Sequence, residues 1–470
     1  MKLVFDARAV GREDAVTRVR FVLREERAKL LPRVPEAEFS AKPGALLHQT
    51  HAGLLYVGLG DREKVTAETL RSAAGSAAMA LKRIGRVRLA LDLAGWAQFA
   101  GPVVEGIVLA DYRFDRFSVK RNHALASVHI QVPPDELASA KRAGQRALTV
   151  AEATNLVREI GNLPGNVLYP ESLATRVTKL AREFDLKATI FDGRKLRARG
   201  FGGLLAVGQG SERGPRFLVL EHRGGPKSQR PIALVGKAIT FDTGGISIKP
   251  AASMEEMIFD KCGGLAVLGA MAAIARLKVK RNVVGLIASA ENMPGGSAYR
   301  PGDIITTYDG SHVEIVNTDA EGRVVLADAI AYARRDCRAS AIVDLATLTG
   351  ACVVALGEYA AGLFSSDVSL RDRLLAAAAT TGERLWPLPL FPEHEEQIRS
   401  DVALIKNSGG RLGGASTGAA FLKAFAGETP WAHLDIAPVA HRDKDRTDLA
   451  RGATGFGVRT LVELVERWGR

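Results

Sequence analysis

The alternation of apolar and polar positions divides the chain into two α/β stretches. In the first, short apolar runs at Gly53–Val57 and Val87–Leu93 read as strands, and Thr66–Ile84 and Gly101–Leu109 read as helices. Composition turns polar around Pro133-Pro134. Glu136 to Ile160 then reads as one long helix, which stops at Gly161-Asn162-Leu163-Pro164. Beyond it, strand-like runs near Phe217–Glu221, Ile232–Val235, Asn282–Ala288 and Ala341–Leu345 are separated by helical stretches. That order predicts an α/β fold in two domains: a smaller N-terminal α/β domain and a larger C-terminal one, with a mostly parallel central sheet flanked by helices.

The second stretch also carries the candidate chemistry. Ile232–Val235 reads as a fully buried strand ended by Gly236, which puts Lys237 at the carboxyl end of a core strand, where open α/β sheets build their sites. Asp242 follows, and Gly244-Gly245 lets the backbone turn sharply beyond it. Next come Lys249-Pro250 and then Met257-Ile258-Phe259-Asp260, ahead of the small, apolar, helix-like stretch Gly263 to Ala275. Further on, Asn317-Thr318-Asp319-Ala320-Glu321-Gly322-Arg323 sets two carboxylates and an arginine together before an apolar helix start at Val324.

Taken alone, Asp319 could cap that helix and Arg323 could make a surface ion pair. Taken with Lys237, Asp242, Lys249 and Asp260, these are acids flanked by glycines and strand ends. Ionised carboxylates in an apolar neighbourhood need a counter-charge, which two divalent cations would supply. A phosphate loop is set aside, because alanine follows Gly236-Lys237 and the required earlier glycine is missing. With no Cys-x-x-Cys or His-Glu-x-x-His spacing, the expected site is oxygen-rich with one amine ligand.

These residues resemble the leucyl (cytosol) aminopeptidases, a family of two-metal exopeptidases. The resemblance rests on Val235-Gly236-Lys237, Phe241 to Ser247, Lys249-Pro250, Asp260 and Asn317 to Arg323. It continues through Glu291 to Gly295, Arg300 to Asp303, Asp344 to Gly350, Trp431 to Ala437 and Gly452 to Arg459. It is strong from Arg158 onward and looser before, through Leu55 to Gly60 and Ala110 to Phe114. It implies an N-terminal α/β domain over residues 1–134, an interdomain helix over 135–162 and a catalytic domain over 163–470.

The resemblance also implies roles. A tighter metal would be held by Lys237, Asp242, Asp260 and Glu321. A more exchangeable one would be held by Asp242, Asp319 and Glu321, with the Asp319 backbone carbonyl as a further ligand. Asp242 and Glu321 then bridge ions roughly 3.5–4 Å apart and activate a water near neutral pH. Manganese or zinc is expected, with cobalt or magnesium tolerated. A lysine ligand must be neutral, so the Lys237 pKa should fall beside a dication. Lys249 would point at the scissile carbonyl as oxyanion stabiliser. Arg323, with Leu348, would hold a bicarbonate that accepts the proton, a planar anion suited to a guanidinium. Met257, Thr347 and Gly350 would shape the pocket for the first side chain. The implied activity is removal of an N-terminal, apolar, leucine-like residue from short peptides, by a homo-hexamer with its sites facing an interior cavity.

Two places depart from the family pattern. Lys261-Cys262 follows Asp260 where many relatives carry methionine and a small residue. Lys261 is expected to add positive charge close to the metals. Cys262 is expected to be buried and inert, although a thiol there could be reactive. Ala238 stands where glycine is frequent and changes little if its φ is negative.

Composition adds limits. A chain of 470 residues is too long for one ordinary core, which supports two domains. No run of eighteen apolar residues occurs, and Met1-Lys2-Leu3-Val4-Phe5-Asp6 lacks a signal-peptide core, so no membrane partner is expected. Three cysteines (Cys262, Cys337, Cys352) are too few for a disulfide framework and point to the cytoplasm. A net charge of +12 raises nucleic acid as a partner. Yet the basic residues are scattered with few aromatics among them, and a basic solvated surface is the better reading. A DNA-binding architectural protein with a secondary peptidase site and a two-metal phosphoesterase stay as alternatives. The nine histidines fall outside the metal motifs, and His433, in a strand-like run, is expected to be a hydrogen-bonded core residue.

Overall fold

The computed structural model describes residues 1–7, 16–118, 124–446 and 449–469. The chain forms two compact units, Met1–Asn155 with Arg442–Gly452, and Leu156–His441 with Ala453–Arg470. The first holds a six-stranded sheet in the order Lys2–Asp6, Ser127–Gln131, Arg88–Asp92, Thr17–Leu23, Leu54–Gly60, Leu46–Gln49. Neighbours are parallel except for the last pair. Helices Ala67–Arg83 and Ala100–Asp111 share its core. Thr66 opens the former by accepting a hydrogen bond from the Thr69 amide, as N-cap threonines do.

The second unit is built on eight strands in the order Leu385–Pro387, Ala361–Ser365, Trp431–Asp435, Ala341–Ala346, Ile232–Asp242, Asn282–Asn292, Arg216–Arg223, Lys187–Phe191. Its central four are mutually parallel, and Arg216–Arg223 and Lys187–Phe191 add antiparallel strands at one edge. The central strands are apolar almost throughout because helices cover both faces. On one face, Ala233, Val235 and Ile239 share a core with Val324, Val325 and Ile330 of helix Glu321–Arg335 and with Phe421 and Phe425 of helix Gly414–Ala426. Lys237 has the same parity in its strand, so its side chain meets the start of helix Glu321–Arg335.

Gly236 does not end its strand, as its sequence context suggested; pairing runs on to Asp242. The glycine serves packing instead. A Cβ there would lie 2.5 Å from Gly264 Cα in helix Cys262–Arg276, so the helix could not come this close. Lys237 is therefore inside its strand. The neighbouring Ala341–Ala346 strand pairs with it only as far as Gly236, which leaves room for the lysine just beyond. Met254–Arg276 is long and apolar enough to cross a membrane, but 83% of its apolar window is buried in the fold, which makes it a core segment.

His433 is the core residue expected. Its Nδ1 lies 2.6 Å from Asp344 Oδ1 across the parallel strand pair, and Trp431 Nε1 donates to Asp344 Oδ2 at 2.7 Å. All three side chains are fully buried.

Candidate metal centre

Six carboxylate and amine groups come together from segments far apart in sequence. Lys237 Nζ lies 2.9 Å from Asp260 Oδ1 and 2.7 Å from Glu321 Oε1, and donates to the Thr347 carbonyl at 2.9 Å. Lys249 Nζ lies 2.8 Å from Asp242 Oδ2 and also contacts Asp319 Oδ1. Asp242, Asp319 and Glu321 offer oxygens that all lie within 4.8 Å of one another. Asp260 is drawn in from the end of the 3₁₀ turn Met254–Phe259, where Thr347 Oγ1 donates to its Oδ1 at 2.6 Å.

Three glycines make this convergence possible. Gly244, at φ +86°, would place a Cβ 2.5 Å from the Ser247 carbonyl and 2.9 Å from Asp319 Oδ1. Gly245, at φ +66°, would meet Asn292 Oδ1 at 2.7 Å. Gly322, in the first turn of helix Glu321–Arg335, would meet Lys237 Nζ at 2.6 Å.

The electrostatics are those of crowded, buried acids. Burial pushes the Glu321 carboxyl up, and the Asp242 carboxylate pushes it further. Burial also raises Asp260 and Asp319. Burial alone would lower the Lys237 ammonium, but the Asp260 and Glu321 carboxylates outweigh it and hold its pKa above the usual lysine value. The fall in the Lys237 pKa expected from the sequence belongs to a site holding dications. Asp260 Oδ2 is buried with no hydrogen-bond partner. Glu321 Oε1, also buried, accepts no well-directed hydrogen bond although it touches the Lys237 ammonium. Orphaned carboxylate oxygens beside a three-acid cluster fit hard divalent ions.

Arg323 and Leu348 lie next to each other rather than inside this cluster. Both flank Gly418, where a Cβ would sit 3.2 Å from Arg323 Nη2 and 3.3 Å from Leu348 Cδ2. Arg323 is 7% exposed; its Nη1 donates to the Asn407 carbonyl at 3.0 Å, and its Nε has no partner. Burial lowers its pKa to about 10, which leaves it charged at neutral pH. Met257 is half-buried, in the same 3₁₀ turn that leads to Asp260. Gly350 is exposed, with open space where a side chain would go, so nothing there requires glycine.

The Lys261 amine bonds to backbone carbonyls, while the Asp260 carboxylate still acts on its charge. It is fully buried and donates to the carbonyls of Leu163, at 2.9 Å, and Ile258; burial lowers its pKa to about 8. Burial pushes the Cys262 thiol up to about 12, which makes it inert. Ala238 sits in the strand without positive φ.

Sequence reasoning gave no role to Asn292, Tyr299, Asn407 or Asp435, all buried. Asn407 Oδ1 accepts from the Val316 amide at 2.9 Å, and its Nδ2 donates to the Asn317 carbonyl at 2.6 Å, which shapes the approach to Asp319. Asp435 accepts from the Leu348 amide at 3.1 Å and Thr349 Oγ1 at 2.7 Å, which holds the loop beside Arg323. Asn292 and Asp435 end apolar strands, which is a local signal; Tyr299 and Asn407 lie in loops and carry none.

Residues 155–462 match the catalytic domain of the cytosol aminopeptidase family, and residues 23–121 match its N-terminal domain. The chain belongs to the cytosol aminopeptidase family. It is 44% identical to a probable cytosol aminopeptidase of Syntrophotalea carbinolica over 451 residues, covering 92% of this chain and 90% of that protein. A probable cytosol aminopeptidase of Geobacter sulfurreducens is 44% identical over 420 residues, covering 88% of this chain and 84% of that protein. Among solved structures, the bottromycin maturation enzyme BotP in complex with Mn superposes with a TM-score of 0.87 at 37% identity, over 97% of this chain and 99% of that one. As a member of this family the protein is a metal-dependent aminopeptidase, and the acid cluster could hold a metal ion.

Proposed function

We propose that the aminopeptidase removes apolar, leucine-like N-terminal residues from short peptides. The observation that carries this reading is the cluster of Asp242, Asp319 and Glu321 oxygens within 4.8 Å of one another, with the Lys249 ammonium against two of these acids. Lys237, Asp242, Asp260 and Glu321 would hold the tighter ion. Asp242, Asp319, the Asp319 carbonyl and Glu321 would hold the more exchangeable one. When bound, the ions supply Lewis-acid activation of water near neutral pH, and a bicarbonate supplies the proton acceptor. Manganese is the favoured loading, in keeping with the Mn complex of the structural neighbour; zinc, cobalt and magnesium suit the same ligands.

The chain's own residues do the rest. Lys249, a side chain 20% exposed, would present its ammonium to the scissile carbonyl as charge develops on oxygen. Arg323 would fix the bicarbonate through its unpaired Nε and its Nη2 edge, with Leu348 as an apolar wall. Met257 and Thr347 would line the pocket for the first side chain, with Gly350 leaving its mouth open.

A homo-hexamer with sites facing inward is the proposed assembly. It is supported by exposed apolar side chains between positions 354 and 412: Val354 at 89%, Leu412 at 80%, Tyr359 at 74% and Trp386 at 62%. Three free cysteines agree with a cytoplasmic setting. DNA binding is not favoured, since the charge of +12 is dispersed.

A leucine anilide and a phosphate ester, each assayed with and without bicarbonate, test the reading. Anilide cleavage stimulated by bicarbonate is expected, with little phosphatase activity. Arg323→Lys should remove the stimulation, because an ammonium cannot present a planar pair of donors. Phosphatase activity without amide cleavage would sink the proposal.

A further inference from the structure

The Thr318 carbonyl accepts from two buried donors, Tyr299 Oη at 2.8 Å and Asn292 Nδ2 at 3.0 Å. Asn292 Nδ2 also donates to Asp242 Oδ1 at 2.7 Å, and the Gly244 amide reaches the same oxygen at 2.9 Å. One carboxamide thus spends its N–H groups on Asp242 and on the peptide that leads into Asp319. Its Oδ1 has no partner and is packed against Gly245. Leaving a buried acceptor unsatisfied is costly, which argues for a role beyond filling space. Asn292 reaches this place at an irregularity in strand pairing, where the register shifts between Ala290 and Asn292.

Geometry then links the carbonyl to Asp319. A peptide is planar, so fixing the Thr318 carbonyl fixes the Asp319 amide. That amide donates to Asn317 Oδ1 at 2.9 Å. Thr318 itself is held by Oγ1 bonds, donating to the Gly244 carbonyl at 2.6 Å and accepting from the Ser247 amide at 2.8 Å. Little freedom is left to Asp319 except rotation of its side chain. With Oδ1 of Asp242 doubly bonded, only its Oδ2 faces the Lys249 ammonium. Tyr299 is 2% exposed, and burial raises its pKa well above the usual tyrosine value, so it remains a neutral donor.

We propose that Asn292 and Tyr299 are positioning residues forming a clamp. Asn292 orients both Asp242 and Asp319 for divalent ions, and Tyr299 acts on the Asp319 side alone. The inference rests on the two-ion reading above, and it makes the two ion sites respond differently to the two residues.

Calorimetric titration of the chelator-stripped full chain with Mn²⁺ tests it. Wild type should bind in two steps. Tyr299→Phe keeps shape and volume, and should weaken only the weaker step, by about 10-fold, the low end of what loss of supporting hydrogen bonds costs a metal site. Asn292→Ala should weaken both steps by about 10–100-fold. The stripped Tyr299→Phe protein should melt close to wild type, and excess Mn²⁺ should restore its kcat with an unchanged KM. Wild-type affinity at both steps, equal weakening of both, or a large fall in the melting temperature of Tyr299→Phe would each overturn the clamp. A wild type that shows no two-step binding would instead overturn the two-ion reading, and the clamp with it.

Discussion

Replacing Lys249 with methionine is expected to lower kcat on a leucine anilide by about 10²–10³-fold, the usual cost of one oxyanion donor. The KM should change far less, because the interaction grows as charge develops on oxygen. Methionine keeps most of the lysine stem, so packing is preserved. The sign of the effect on metal binding separates this role from that of a ligand. Lys249 Nζ sits 2.8 Å from Asp242 Oδ2 and touches Asp319, so its positive charge opposes cations at those acids. Burial lowers the Lys249 pKa, but the Asp242, Glu321 and Asp319 carboxylates outweigh it and keep the group charged. Removing it should leave Mn²⁺ affinity equal to or tighter than wild type. Kinetics at saturating Mn²⁺, beside a Mn²⁺ titration, check both halves. Recovery of kcat by excess Mn²⁺ would make Lys249 a ligand instead.

Gly322→Ala is expected to abolish most activity while leaving the fold standing. Helix propensity alone predicts a gain of about 1 kcal/mol, because alanine is the better helix former. At this position the added Cβ would lie 2.6 Å from Lys237 Nζ, 2.7 Å from its Cδ and 2.8 Å from its Cε. The backbone on both sides is tied into helix and strand, so the lysine end must move. A flexible side chain swings aside at small cost, but the swing takes the amine away from Asp260, Glu321 and the Thr347 carbonyl. A displacement of about 1 Å in a catalytic group costs on the order of 10²-fold in rate. The expected result is a melting temperature near wild type, weaker binding of the tighter ion and kcat down by at least about 10²-fold. An alanine variant with wild-type activity would show that Lys237 does not work from this position.

Much of this site was legible in the residues themselves. Asp242, Asp260, Asp319 and Glu321 stood out as acids beside glycines and strand ends, and they converge because parallel strands bring their loops to one edge. Lys237 was harder to place. Gly236 reads locally as a stop, whereas it marks the close approach of helix Cys262–Arg276, a contact no local pattern reveals. The hydrogen-bond partners of Lys261 were hidden for a related reason. Its neighbour in sequence is an acid of the cluster, but its amine is bound by the carbonyls of Leu163 and Ile258. Asn292, Tyr299 and Asn407 were illegible because their partners lie 19 to 91 residues away. A polar residue ending an apolar strand announces itself without naming its partner.

In the proposed function, peptide hydrolysis depends on two ions held by this cluster. The most direct measurement strips the protein with a chelator and follows leucine anilide hydrolysis as Mn²⁺ is returned. The stripped protein should show no turnover, and recovery should need both ion steps filled, with Asp260→Asn and Asp319→Asn each failing at a different step. Full amide hydrolysis in the stripped protein, or complete recovery from a single ion step, would contradict this dependence.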